Sequence, residues 1–274
     1  MKQRVASRCS ALAAFAQLWT LAWAPASARA QWVQYPTAGV PRTPDGKPNL
    51  GAPAPRTASG TPDFSGLWQN DGFSGTEGLG GPPHTPFFDI AWGLNGPAPY
   101  QPWAAELMRR RQDALSKDNP DARCLPIGLL QMAAHPLPKK ILQAPGVLVV
   151  LHERNMEFRQ IFTDGRPLPV DPQPSWNGYS SGTWQGDALV VKTSGFRDGL
   201  WADFIGSPLT DQATITERYK RPTYGSLQVE ITVDDPKAYT KAWTVTLTHH
   251  ILVDTDLLEY ACLENEKDVV HFEK

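Results

Sequence analysis

The sequence predicts a mainly β protein: an antiparallel meander that closes into a lipocalin-like (calycin-like) barrel, with a Pro/Gly-rich N-terminal arm and one helix. Three observations lead to this fold class. After residue 139, apolar and polar residues alternate in many short runs, turn residues separate the runs, and only one stretch has helical spacing. The chain shows no strand–helix–strand rhythm, and closure into a barrel would leave no exposed edge strand.

Residues 1–30 have the pattern of a cleaved secretory signal peptide. A basic head precedes the apolar run 11–23, and Ala28-Arg29-Ala30 is a small-x-small site that predicts cleavage after Ala30. The apolar run is short for a membrane span. We therefore expect a periplasmic or secreted protein without a stable membrane anchor, with an uncleaved N-terminal anchor as the alternative.

The charge of the mature chain argues against nucleic-acid binding. Cleavage removes four of the 26 basic residues and none of the 28 acidic ones, which leaves a net charge of −6. Such a balance disfavours contact with a phosphate backbone. Arg109-Arg110-Arg111 is the main basic cluster, and a solvated helix face accounts for it. A small molecule is the expected partner.

Residues 31–102 form the predicted arm and loop, packed on a body that comprises residues 103–274. The segment holds 13 of the 26 prolines, so regular structure is expected to be sparse. Two imperfect repeats, Pro41–Leu50 and Pro55–Phe64, each contain turn residues and end on an apolar residue. This predicts an arm pinned to the body by Leu50 and Phe64. The aromatic loop 71–100 is expected to be a lid over a cavity or a packed surface loop.

The body contains one predicted helix and a series of strands. Pro102 opens the helix, which covers Trp103 to Lys117. The central hairpin 178–196 turns at Gln185-Gly186-Asp187, because Gly186 can take the positive φ that a tight turn needs. The predicted strands are, in chain order, 65–68, 140–143, 147–152, 157–163, both sides of the hairpin 178–196, 213–220, 227–233, 243–253 and 257–263.

The cysteines predict a disulfide. Cys9 leaves with the signal peptide, and Cys124 and Cys262 remain without metal-type spacing. In an oxidising compartment such a pair forms a bridge. The alternative is a nucleophilic cysteine with a histidine partner, but neither cysteine has a helix-opening or cation-rich context.

Three polar residues of the predicted strands are candidates for the barrel interior, and the strand pattern leaves the face of Arg159 open. His249 shares strand parity with Trp243 and Leu247, and is a general base, a ligand contact or a core histidine with one hydrogen bond. Glu217 is an acid/base group with a raised pKa or one half of a buried ion pair with an arginine. Arg159 would clamp a carboxylate or phosphate if it points inward, and is a surface charge if it points outward.

Further residues are candidates for ligand contacts. Arg166 follows a turn at the barrel rim, where it would reach a ligand at the mouth or serve the turn alone. Four aromatic residues flank the central hairpin and would stack on a flat ligand or form an aromatic core plug. They are Trp176, Tyr179, Trp184 and Trp201.

No cofactor or metal is expected from the sequence. The sequence lacks a Gly-x-Ser-x-Gly elbow, a phosphate-binding glycine loop, a dinucleotide fingerprint and a His-Glu-x-x-His pair. His249 and His250 lie on opposite faces of their strand and cannot chelate one ion together. Cofactor-free acid/base chemistry remains open, because it needs only one or two placed groups.

Four motifs resemble a widespread family of exported bacterial proteins. They are Pro41–Leu50, Asp63–Trp68, Phe158–Arg166 and Gly182–Asp187, and the similarity covers nearly the whole mature chain. The resemblance implies export and a single folded domain, and it brings no activity or catalytic residue. Gln185 stands where the family motif has an acidic residue.

Three hypotheses about function follow from these observations. The first is an exported barrel that binds a small apolar or aromatic molecule in its interior. The second is a cofactor-free lyase, isomerase or hydrolase that uses His249 and Glu217, with Arg159 orienting an anionic group. The third is a structural or interaction module whose barrel is filled by its own side chains. The first two require a cavity.

Overall fold

The computed structural model describes residues 35–71, 85–94 and 96–264. Within this part of the chain, eleven strands are present, and nine of them form a closed barrel. The strands are β1 (Gly66–Asn70), β2 (Lys139–Ala144), β3 (Val147–His152), β4 (Phe158–Phe162), β5 (Tyr179–Gln185), β6 (Ala188–Ser194), β7 (Leu200–Trp201), β8 (Pro208–Leu209), β9 (Thr214–Thr223), β10 (Ser226–Asp234) and β11 (Trp243–Leu252). Strands β7 and β8 pair with each other outside the barrel.

The barrel is a meander, as the sequence predicts. Each barrel strand pairs with the next barrel strand along the chain, and β11 pairs with β1 to close the cylinder. All pairs are antiparallel except β4 and β5, which are parallel at Ile161–Ser180 and Phe162–Ser181. The proline-rich segment 163–178 carries the chain back along the barrel without regular structure, so β5 runs in the same direction as β4. The barrel is therefore mixed rather than wholly antiparallel.

The described residues contain two α-helices, one more than predicted. Helix α1 (Pro102–Asp113) begins as expected but ends four residues early, because Leu115 and Ser116 adopt positive φ. Helix α2 (Gly128–Ala134) was not predicted. It is almost entirely buried, so its residues show no alternation of polar and apolar faces.

The strand predicted at residues 257–263 is wrong. This segment has no ladder, and Tyr260 makes only an isolated bridge with Arg154. The barrel is closed by the pairing of β1 with β11, so β11 has no unpaired edge to which a further strand could add. Cys262 forms the predicted disulfide with Cys124, with 5.6 Å between the two Cα atoms. The bridge therefore fixes the segment after β11 to the residues before α2.

The two repeats of the arm form equivalent turns. Arg42 donates to the carbonyl of Gly46, and Arg56 donates to the carbonyl of Gly60. Each arginine then pairs with an aspartate from a different loop of the body, Asp254 for Arg42 and Asp187 for Arg56. Each repeat is thus attached to the body in the same way, through an arginine that bonds both its own turn and an aspartate of a body loop.

The two apolar ends of the repeats differ in burial. Phe64 is fully buried and stacks on Trp184, with 5.4 Å between the ring centroids. The side chain of Leu50 is 39% exposed, and the backbone carbonyl of Leu50 accepts a hydrogen bond from the amide of Gly225. Leu50 therefore anchors the arm through its backbone carbonyl, whereas Phe64 anchors it through its buried side chain.

The predicted aromatic loop 71–100 is described only in part. Its residues Phe73 and His84 lie outside the described residues, as does the predicted signal peptide. In the described portion, the ring of Phe87 packs against that of His135, and the ring of Phe88 packs against that of Phe204. The ring centroids are 4.8 Å apart in each pair. This portion packs on the segments around α2 and β7.

Candidate functional site

The lumen of the barrel contains a cluster of buried polar side chains. Alternation along each strand turns every second residue inward, and most of these residues are aliphatic or aromatic. Six titratable residues interrupt this apolar lining at one region of the lumen. They are Lys139 of β2, His152 of β3, Arg159 of β4, Glu217 and Tyr219 of β9, and His249 of β11.

Arg159 and Glu217 form an ion pair inside the barrel. Arg159 Nη1 donates to Glu217 Oε1 at 2.9 Å, and Arg159 Nη2 donates to Glu217 Oε2. The Tyr219 hydroxyl also donates to Glu217 Oε1, at 2.8 Å. Arg159 further donates to Ser180 and Thr193, each at 3.0 Å from Nη2. Arg159 Nε also donates to the Ser180 hydroxyl at 3.2 Å, so both carboxylate oxygens and all three nitrogens of the guanidinium are engaged.

This network corresponds to the structural alternative that the sequence left open for Glu217. Burial has the largest single effect on the pKa of Arg159 and lowers it, but the charges of Glu217 and Tyr219 and the hydrogen bonds to both residues together outweigh burial and hold that pKa above its ordinary value. Burial, together with the Glu217 charge, raises the pKa of the Tyr219 hydroxyl. The guanidinium is thus a permanent cation whose counter-charge is already present.

Lys139 has a different environment. Its ammonium Nζ donates to the carbonyl of Ala133 in α2 at 2.5 Å and lies 3.2 Å from His249 Nε2. Among the described residues, no carboxylate forms an ion pair with it. Burial lowers the pKa of Lys139 to about 7, and the Arg159 charge adds to this while the Glu217 charge opposes it.

The histidines of the lumen are held in the neutral form. Burial lowers the pKa values of His152 and His249 well below the ordinary range, and the nearby Lys139 charge lowers both further. A neutral His249 accepts from the Lys139 ammonium through Nε2, which leaves the proton of the ring on Nδ1. His249 Nδ1 is buried and makes no hydrogen bond of good geometry among the described residues, although the backbone carbonyls of Ala133 and Leu227 lie near the ring and oppose the effect of burial on its pKa.

These polar groups line a cavity of about 40 Å³. One water molecule needs about 10–15 Å³ of such cavity space, so the cavity suits a few water molecules or a very small ligand. Three residues of α2 form one wall, namely Leu129, Met132 and Ala133. The other walls are the aliphatic side chains of Ile141, Val150, Leu227, Val229 and Leu247, and Asn177 also contributes.

The remaining predicted ligand contacts lie outside this cavity. Arg166 is exposed at the rim, pairs with Asp164, and stacks 3.8 Å above the Phe162 ring. The aromatic residues around the central hairpin contact protein groups instead. Trp176 lies under Arg197, Tyr179 donates to the Gln173 carbonyl, Trp184 stacks on Phe64, and Trp201 lies under Arg111.

Lys139, His152 and Tyr219 are site residues that were not predicted from the sequence. The predicted second strand began at residue 140, so Lys139 fell outside it, although it shares parity with Ile141. His152 shares parity with Val150 and ends its strand. The structural register places Lys139 directly opposite His152, a pairing that follows from the β2–β3 hairpin.

The described residues contain neither a cluster of metal-ligating side chains nor a helix that could span a membrane. No group of three or more His, Cys, Asp or Glu side chains in 35–71, 85–94 and 96–264 is arranged to hold a metal ion. In the same ranges, no helix has the length and apolar character needed to cross a membrane.

The fold and the site define a closed β-barrel with a small, partly polar internal cavity. Comparison of the chain with protein-family models and with curated proteins found no match.

Proposed function

We propose that this chain is an exported β-barrel protein that binds a small, mainly apolar molecule with one carbonyl or acidic group inside its lumen. Aliphatic walls would hold the apolar part of the ligand, and Lys139 and His249 would contact the polar group. Export is supported by the signal-peptide pattern, by the resemblance to exported bacterial proteins, and by the disulfide between Cys124 and Cys262.

The observation that carries the proposal is the incomplete hydrogen bonding of Lys139 and His249. An ammonium has three donors, and Lys139 directs one to Ala133 and one to His249. Burial of a polar group without a partner is unfavourable by about 1–3 kcal/mol. A ligand oxygen in the cavity would accept the third hydrogen bond from Lys139 Nζ. If that oxygen belonged to a carboxylate, it would also supply the negative charge that no neighbouring residue provides.

The volume of the cavity limits the ligand. A cavity of about 150 Å³ binds benzene, whereas the space beside Lys139 is about 40 Å³. A ligand with a short carbon chain is therefore favoured over the aromatic one that the sequence suggested. An aromatic ring would require the flexible side chain of Met132 to move.

Cofactor-free catalysis on the same barrel is the second candidate. The version that uses Glu217 as an acid or base is weakened, because both carboxylate oxygens are bound to Arg159 and Tyr219. Arg159 is likewise committed to Glu217 and would not orient an anionic substrate. The contact between Lys139 and the neutral His249 is what favours a catalytic role.

Binding is tested by thermal unfolding of the mature protein with a panel of short carboxylates, aldehydes and alcohols. A ligand present at 100 times its dissociation constant would stabilise the folded state by about 2.7 kcal/mol. Val229→Phe fills the cavity and should abolish the effect. Gln228→Leu changes the adjacent residue, which faces outward, and should retain it. No stabilisation by any compound would favour the structural-module hypothesis, and equal stabilisation of both variants would place binding outside the lumen.

Export is tested separately. The full-length chain, expressed in a Gram-negative host, is recovered from the periplasm and its N-terminus is sequenced. The proposal predicts a mature chain that begins at Gln31. Retention of residues 1–30 on a membrane-bound protein would favour the uncleaved anchor instead.

A further inference from the structure

We propose that Lys139 acts as a nucleophilic amine that forms a reversible Schiff base with a short-chain aldehyde or ketone bound in the cavity. This inference rests on the proposed function, because it requires that the lumen admit a ligand. It adds the chemical class of that ligand, a carbonyl compound, and it assigns His249 the role of transferring the proton.

The position of Lys139 suits such a reaction. Nζ lies at the cavity, enclosed by α2 on one side and by the strands that carry His152 and His249 on the others. The apolar walls would hold the alkyl part of the ligand and exclude bulk water, which otherwise favours hydrolysis of an imine. The carbonyl carbon would then lie next to the amine.

The charged groups around Lys139 favour its neutral form. Arg159 and Glu217 face it from β4 and β9 and largely neutralise each other, while His135, His152 and His249 are uncharged. Burial therefore dominates and lowers the pKa of Lys139 to about 7. Near neutral pH a large fraction of the side chain carries the lone pair that a nucleophile needs.

The reaction is a condensation that needs no oxidant or reductant. The Lys139 nitrogen attacks the carbonyl carbon, the new C–N bond forms, and the C=O π electrons move to oxygen. His249 Nε2, 3.2 Å from Nζ, takes a proton from nitrogen and returns it to that oxygen, giving a carbinolamine. A second proton from nitrogen reaches the oxygen, which leaves as water while the C=N bond forms.

Lys140 is a matched control in the next position of the chain. Because successive residues of a strand face opposite sides, Lys140 points outward, and its Nζ pairs with Asp256 at 2.7 Å. It carries the same amine without the cavity or the histidine. Faster reaction at Lys139 than at Lys140 would therefore be due to the lumen.

The experiment treats the mature protein with propanal and cyanoborohydride, which reduces an imine to a stable propyl amine, and locates the modification by peptide mass spectrometry. We expect Lys139 to react about tenfold or more faster than Lys140, with a rate that rises as the pH increases through 7. Lys139→Met should remove this fast phase and Lys140→Met should not. His249→Gln should slow it about tenfold or more, in line with the loss of a proton-transfer group.

Binding of propan-1-ol and propionate, measured in parallel, separates the two proposals. If these analogues stabilise the protein and Val229→Phe abolishes that effect, while propanal modifies Lys139 no faster than Lys140, the Schiff-base proposal is overturned and the binding proposal stands. If the analogues do not bind and Lys139 is not modified preferentially, both proposals fail. The comparison of Lys139 with Lys140 is made in the wild-type protein, so the test of the Schiff base does not depend on the folding of the Lys139 variant.

Discussion

Arg159 and Glu217 form an ion pair across the barrel lumen, with 2.9 Å between Arg159 Nη1 and Glu217 Oε1. Their strands, β4 and β9, are not neighbours, since β5 and β6 lie between them. The arginine also bonds Ser180 on β5 and Thr193 on β6, so one side chain connects four strands. The ion pair therefore holds together the part of the barrel where β4 and β5 share only a short ladder of backbone hydrogen bonds.

Removal of one partner of this pair should destabilise the protein strongly. Glu217→Gln leaves a buried guanidinium without its counter-charge, and breaking a buried pair in this way lowers the free energy of unfolding by about 3–5 kcal/mol. The change is measured by urea unfolding followed by circular dichroism. The control is Glu230→Gln on the outer face of β10, where we expect a change within about 0.5 kcal/mol.

The double variant Arg159→Met/Glu217→Leu gives the complementary result. Replacement of both charges by apolar groups of similar volume should recover most of the stability lost in Glu217→Gln, because no unpaired charge remains. A Glu217→Gln variant as stable as the wild type would show that the pair does not form in solution.

The stability of the protein should depend on the titration of Lys139. The folded-state pKa is about 7, below the ordinary value of 10.5, so between these values the unfolded chain binds the extra proton. This group therefore makes the folded state more stable as the pH rises from 7, by at most about 1.4 kcal/mol per pH unit. Below pH 7 both states are protonated, and the folded state bears the full unfavourable effect of a buried charge.

Lys139→Met tests this dependence by difference. Urea unfolding at pH 7, 8 and 9 should show the stability of the wild type rising relative to that of the variant. The variant should be closest to, or above, the wild type at the lowest pH, because it buries no charge. A constant difference between the two proteins would mean that the pKa of Lys139 is not lowered.

The Cys124–Cys262 disulfide should stabilise the fold by restricting the unfolded chain. The cysteines are 138 residues apart, and the chain-entropy model gives an upper value of about 4–5 kcal/mol for a loop of that length. The double variant Cys124→Ser/Cys262→Ser should lose up to this amount in urea unfolding. In the folded wild type, neither cysteine should react with an alkylating reagent before reduction, and alkylation of both would show that the bridge is absent.

Leu50 and Phe64 offer an internal comparison for the docking of the arm. They occupy equivalent ends of the two repeats, but Phe64 is fully buried against Trp184 whereas Leu50 is 39% exposed. Phe64→Ala should lower the free energy of unfolding by about 3–5 kcal/mol, and Leu50→Ala by less than about 1 kcal/mol. Similar losses for both would mean that the arm is held in a different way in solution.

Much of the barrel could be predicted because alternation in a strand has a strict period of two. Leu227, Val229, Ile231 and Val233 of β10 face inward as that pattern requires. The same parity favoured inner faces for His249 and Glu217, where the structure also has them, whereas it left the face of Arg159 open and the structure buries that residue.

The contacts between these residues could not be predicted. Arg159 and Glu217 are 58 residues apart in sequence, and two strands lie between theirs in the barrel. The ion pair therefore depends on the register of each intervening strand. Lys139 was missed because alternation defines the ends of a strand poorly. The predicted strand began one residue too late, so Lys139 was not considered among the residues that face the lumen. The hydrophobic residues at 257–263 resemble a strand, but a closed barrel offers no edge for them.

The most direct test of the account is an NMR titration of protein labelled with ¹³C at the methionine methyl groups, using propionate or propan-1-ol. The sequence has four methionines. Met132 lines the cavity, whereas Met156 is 56% exposed and Met108 lies on α1, outside the cavity. The account predicts a saturable shift of the Met132 signal, with Met108 and Met156 unchanged, and no such shift in Val229→Phe. A Met132 signal that does not respond to any ligand of the panel would contradict the claim that the lumen is a binding site.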